Sequence, residues 1–149
     1  METKDEYIAY YRGMRGELLG AIDGLTDQQL SEQSLDGWSV KDHLLHIALW
    51  DEFRASEVER ISAGQDSLWK MQEEQVDAIA DVLYDLRRTA SPSQARWEIA
   101  STHERLLKAL SAASPRGLDA TRYGEAGLPS DHEAAHTSWI KRWRAEHGY

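Results

Sequence analysis

The sequence predicts an all-α fold: a four-helix bundle with a long crossover between its second and third helices. Three observations carry this reading. Apolar residues recur every three or four positions over most of the chain. The sustained apolar–polar alternation of a half-buried strand is missing. Residues that favour helix N-caps stand in front of the periodic segments.

The first helix is expected from about Lys4 to Leu25, with Ile8, Tyr11, Arg15, Leu18, Ile22 and Leu25 on one face. Thr26-Asp27-Gln28-Gln29 reads as a capping box that opens a short helical turn. Ser34 to Trp38, with Gly37, reads as a loop. Ser39 is a good N-cap for the second helix, which carries Val40, His43, Leu44, Ile47, Trp50, Phe53, Val58 and Ile61 and stops near Gly64. The connection from Gln65 to Ala90 contains an amphipathic piece, with Val76, Ile79, Leu83 and Leu86 on one face. A connection of that length suits a crossover better than a simple up-down bundle. Ser91-Pro92 starts the third helix, which runs to about Ala113 with Ile99, His103, Leu106 and Leu110 in a stripe. Ser114 to Pro129 reads as loop, and Ser130 as the cap of the last helix.

A chain of 149 residues, 41% of them hydrophobic, suits one domain spanning 1–149 with its own core. It has no cysteine, which excludes disulfides, thiolate ligands and a thiol nucleophile of its own. The net charge of −9 argues against nucleic acid and against an anionic membrane as partners. The charged start Met1 to Glu6 lacks an apolar signal core, and no apolar run approaches the ~20 residues of a membrane span. A cytoplasmic protein acting on a small molecule is the expectation left standing. A homodimer is weakly suggested by the second face of the crossover.

Six histidines are present, and two of them form a pattern. His132 and His136 are four apart on a predicted helix, so they project from one face a turn apart. Such a pair can reach one metal ion, although two polar residues at an exposed helix start would look the same. Trp139 and Trp143 continue the stripe, and both are expected to be mostly buried beneath the pair. Buried imidazoles need partners, and a shared ion supplies them. His132-Glu133-Ala134-Ala135-His136 also matches the HExxH zinc-protease signature. That reading fails: Trp139 and Arg142 stand where the extended pattern needs Gly and His, and no strand is available to bind a peptide. Glu133 has a plainer role, closing a capping box with Ser130.

The segment Gly37-Trp38-Ser39-Val40-Lys41-Asp42-His43-Leu44-Leu45-His46-Ile47-Ala48-Leu49-Trp50-Asp51 resembles the second-helix motif of the DinB/YfiT-like superfamily. The last helix, with His132, His136, Trp139, Ile140 and Trp143, resembles that superfamily's final helix. Within it the chain is most similar to the ClbS/DfsB group, through Val76-Asp77-Ala78-Ile79 in the crossover and Ser101 to Leu107 in the third helix. The resemblance implies a four-helix bundle holding a divalent metal with His46, His132 and His136. His43, three residues earlier, is the substitute ligand if the register shifts. At Ile79-Ala80 the chain is apolar where related sequences often carry a polar residue such as Asn, which leaves a polar contact from the crossover in doubt.

Three neutral imidazoles with one open position describe a catalytic rather than a structural site. Histidine ligands suit Zn, Ni or Fe equally. The resemblance implies hydrolysis of a reactive electrophile or transfer dependent on a thiol, which must come from outside because the chain has none. Asp51 and His103 are the candidate catalytic residues. The plainer reading of Asp51 is a solvated charge or an ion pair with Arg54; that of His103 is a satisfied core histidine. Trp38 and Trp50 are expected to pack around the second helix. Two other functions compete: a non-catalytic protein that sequesters a small molecule, and a helical interaction module without an active metal site.

Overall fold

The computed structural model describes residues 1–124 and 127–149. It holds α1 (Lys4–Ile22), α2 (Asp27–Ser31), α3 (Val40–Ser62), α4 (Glu73–Arg87), α5 (Pro92–Ser111) and α6 (His132–His147). No strand occurs among the described residues. The four long helices α1, α3, α5 and α6 are those the periodicity predicts, and α4 is the amphipathic piece of the crossover. No helix of the described residues is long and apolar enough to cross a membrane.

The helix starts follow local chemistry. Thr26 and Gln29 close the expected capping box, and Ser39 closes another with Asp42, in which each side chain satisfies a backbone N–H of the other. Gly64, just past α3, takes φ +91°, a conformation that costs a glycine little. α1 stops at Ile22 rather than Leu25, because the chain turns through Gly24 at φ +78° and Leu25 reaches the core from beyond the helix. The start of α6 also differs from expectation. Its cap is Asp131, and Ser130 instead accepts a hydrogen bond from the His132 N–H at 3.3 Å.

α3 is the axis of the molecule and is buried on nearly every face. It packs most extensively on α5, while α1 lies against α5 and α6. One core cluster joins Leu18, Leu44, Ile47, Ile99, Ile140 and Trp143; a second, at the other end, joins Tyr7, Tyr11, Val58, Leu106 and Leu110. The buried stripe of α5 runs through Thr102 rather than His103, which is half-buried beside it. α4 rests Val76, Ile79 and Leu83 on Leu49 and Trp50, but Leu86 is exposed, contrary to the expected face.

Because α3 is enclosed, its polar residues must be paired inside. Glu57 accepts hydrogen bonds from Arg60, Ser67 and the Leu68 N–H, which fastens the start of the crossover. Asp51 meets Arg15 of α1 at 2.6 Å, and the same guanidinium meets Glu133 of α6 at 2.7 Å. Arg15 also donates to the Ile99 carbonyl of α5, and Thr102 donates to Asp51 at 3.1 Å. One buried cation therefore ties four helices together. Burial works against its charge, yet Asp51 and Glu133 win and hold its pKa above the ordinary arginine value.

Arg15→Met leaves two buried carboxylates without their main partner. The expected loss is about 3–5 kcal/mol in urea denaturation at pH 7. A loss of less than about 1 kcal/mol, the worth of a surface pair, would show that the two acids have other support.

Candidate metal centre

His46 projects from α3 and His132 and His136 from the first turns of α6. The segment that delivers α6 is pinned on two sides. The Ser130 N–H donates to the Tyr11 hydroxyl at 3.2 Å, and Arg54 donates to Ser130 Oγ at 3.1 Å. Behind the site, the Arg15 contacts hold Asp51, five residues after His46, and Glu133, next to His132. At about 100° per residue, those acids lie off the faces that carry the histidines.

One nitrogen from each of the three imidazoles lies within 4.8 Å of the other two. His132 Nε2 is 3.2 Å from His46 Nε2 and 3.0 Å from His136 Nε2. Ligand atoms about 2.0–2.1 Å from a shared tetrahedral ion sit about 3.3 Å apart, so the spacing fits. The donor chemistry fits as well. A neutral ring nitrogen offers either one proton or one lone pair. His132 Nε2 therefore cannot make a full hydrogen bond to both neighbours. His46 Nε2 already accepts the Trp50 indole N–H at 3.1 Å. Protons can bridge only one edge of this triangle at a time, whereas one cation can draw all three nitrogens together once the Trp50 N–H yields the His46 lone pair.

The rings are neutral. Burial above all, with their mutual repulsion and Arg54, pushes His46 down to about 3. Burial and Arg54 push His132 down to about 4, and burial with the other imidazoles pushes His136 lower still. Neutral imidazole is the form that binds metal.

The trio opens onto a cleft of about 770 Å³, walled by Trp38, Trp50 and Trp139, by Arg54 and by α4. Trp38 stacks flat on Tyr84 of α4 with ring centroids 4.9 Å apart, and meets His43 and His46 edge-on. The two α6 tryptophans part company. Trp143 is buried in the core, but Trp139 is 43% exposed and forms part of the cleft wall, so it is not the buried floor expected of it.

The candidate catalytic residues lie elsewhere. Asp51 is fully buried and bonded to Arg15 and Thr102, with Arg54 at 3.9 Å, so it is neither a solvated charge nor part of the cleft wall. His103 is half-buried on α5 and also does not line the cleft; burial, with Arg15 and Arg12 beside it, pushes it down to about 4. Glu133 is buried against Arg15, which overturns the capping-box role and independently removes it as the general base of a zinc protease. His43 is not one of the three convergent ligands; it contacts His136 from behind. Sequence reasoning missed Arg54 in the cleft wall. Its position eight residues after His46, about two turns along the same helix, was the available signal.

The model of the DinB superfamily matches residues 10–146. No curated protein and no solved structure matches the chain.

The buried imidazoles set a pH dependence for the metal-free protein. In the folded state His43, His103 and His132 stay neutral to about pH 4, against 6.5 for an unperturbed histidine. Between those values the unfolded chain binds more protons, so stability falls as pH falls. The urea midpoint is expected to drop steadily from pH 7 to pH 5, and His103→Gln to make the slope shallower. A midpoint that stays level over that range would contradict the burial argument.

Proposed function

This chain belongs to the DinB superfamily, and on that footing we propose that it is a metal-dependent enzyme acting on a small reactive or electrophilic molecule. The reaction is hydrolysis, or transfer from an external low-molecular-weight thiol. One observation carries the reading: one nitrogen from each of three neutral imidazoles, on two different helices, lies within 4.8 Å of the other two. His46, His132 and His136 would hold a divalent ion, with Zn, Ni and Fe all compatible with the donor set. Such an ion, when bound, supplies a Lewis acid that activates water or a thiol near neutral pH.

The chain's own residues do the rest. Trp38, Trp50 and Trp139 give the cleft apolar walls that hold an organic substrate and exclude water from part of its surface. Arg54, held by Ser130 and near Asp51, places a fixed positive charge beside His132, where it can meet negative charge that develops on the substrate. Asp51 acts through Arg54 and Arg15 as a positioning residue rather than as a base. Asp77, Asp81 and Asp131 line the cleft and are the carboxylates within its reach. Without a cysteine, any thiol chemistry needs a thiol from solution.

The test starts from protein purified without a histidine tag, stripped of metal and reloaded. It is expected to take up one ion per chain. His46→Ala, His132→Ala and His136→Ala should each weaken uptake by more than about 100-fold, beyond the usual effect of losing an outer partner. Loaded protein is then assayed against electrophile libraries with and without small thiols, and turnover should vanish in the same variants. Stoichiometric capture without turnover would replace the enzyme with a sequestering protein. No metal uptake at all would leave only a helical interaction module.

A further inference from the structure

His43 stands behind the centre without a role in it. His136 offers its two ring nitrogens to different partners: Nε2 faces His132 at 3.0 Å, within the trio, and Nδ1 lies 2.6 Å from His43 Nδ1. A neutral imidazole that gives Nε2 to a metal carries its proton on Nδ1. Only one proton fits between two nitrogens at that distance. If His136 supplies it, His43 must present a lone pair at Nδ1 and keep its own proton on Nε2.

We propose that His43 is a positioning residue of the metal centre, accepting the Nδ1–H of His136 and thereby fixing that ligand's tautomer and orientation. The inference rests on the three-histidine reading above. The packing supports it. His43 is 95% removed from solvent, since only 5% of it is exposed. Its ring is held edge-on by Trp38 at 5.1 Å and by Trp139 at 6.2 Å, so it is not free to swing away from His136. Among the described residues, His136 is the one ligand of the three whose outer nitrogen has a protein partner. Outer partners of metal-bound histidines are usually carboxylates or carbonyls, which raise the basicity of the ligand. An imidazole orients the ring without adding negative charge. An ion held there would receive less negative charge through His136 than with a carboxylate behind it, and would be the stronger Lewis acid for it.

Two measurements test this, and neither needs an activity. The first is Zn²⁺ affinity by competition with a chromophoric chelator. His43→Leu, which has no acceptor, is expected to bind about 10- to 100-fold more weakly, while His43→Gln, which can still accept from His136, stays close to the parent protein. The second is long-range ¹H–¹⁵N NMR of the Zn²⁺-loaded parent protein, which should find the His43 proton on Nε2 and the His136 proton on Nδ1. Undiminished affinity in His43→Leu, or a His43 proton on Nδ1, overturns the assignment. The NMR arm holds even if His43→Leu does not fold. A parent protein that takes up no Zn²⁺ would sink the metal reading itself, and this inference with it, whereas normal uptake insensitive to position 43 would sink this inference alone.

Discussion

A guanidinium in a protein interior must be paired, and Arg15 has arranged the bundle around that requirement. It sits at the centre of the four long helices, donating to Asp51, Glu133 and the Ile99 carbonyl. Apolar burial is non-directional and by itself specifies a helix's rotation less sharply than polar contacts do. A fork of charged hydrogen bonds specifies it more sharply, since its donors point in fixed directions. Asp51 must face inward, which sets the rotation of α3 and so the direction of His46. Glu133 must face the same point, which sets α6 and so the direction of His132 and His136. Buried ion pairs are often poor sources of net stability. The use of this one is orientational: it converts two helix rotations into the convergence of three imidazoles.

The charges behind the site close on themselves. Arg15 and Arg54 are set against Asp51 and Glu133, all four buried. The cluster is therefore close to neutral, and the imidazoles in front of it are neutral too. A divalent ion placed there would add positive charge that this cluster does not cancel; outside the cluster Asp42 is a buried carboxylate one turn before His46 on α3. This differs from a carboxylate-bridged bundle site, where acids on the facing helices neutralise the metals. Of the acidic residues of the cleft, Asp77 and Asp81 lie on α4 and Asp131 directly precedes His132; all three are exposed, so solvent screens them. An all-imidazole ligand set adds no negative charge of its own and would leave an ion more electrophilic than carboxylate ligands would.

Much of this was legible in sequence, and what was legible was local. Thr26 with Gln29 and Ser39 with Asp42 are short-range hydrogen-bond signals, and both boxes formed. The spacing of His132 and His136 placed them one turn apart, as helical geometry requires. The family resemblance chose His46 over His43, and the structure brings His46 into the trio. The failures came from long-range pairing. Arg15 sat in the apolar stripe of α1 without a visible reason, and Glu133 had a tidy local role as a capping residue that its ion pair overrode. Their separation of 118 residues gave no pattern to read. Trp139 shared a stripe with Trp143, yet the helix face widens at the cleft, where no neighbour covers it. Periodicity identifies a face, but not how far along it the packing partner extends.

The two sides of the cleft are built differently, and that bears on selectivity. The side that bears the three histidines is carried by α3 and α6 and is backed by the ion cluster and by the core. The opposite wall is α4, which has no fully buried residue and is held by Val76, Ile79, Leu83 and the stack of Tyr84 on Trp38. Local opening free energy follows buried contacts, so α4 belongs to the less stable part of the molecule. A reactive centre gains from rigidity, because misplacing a ligand weakens both affinity and chemistry. A wall that only shapes the substrate can move without that penalty. On the proposed function, the bundle would keep its chemistry on helices that Arg15 locks and leave substrate recognition to α4, which Arg15 does not touch.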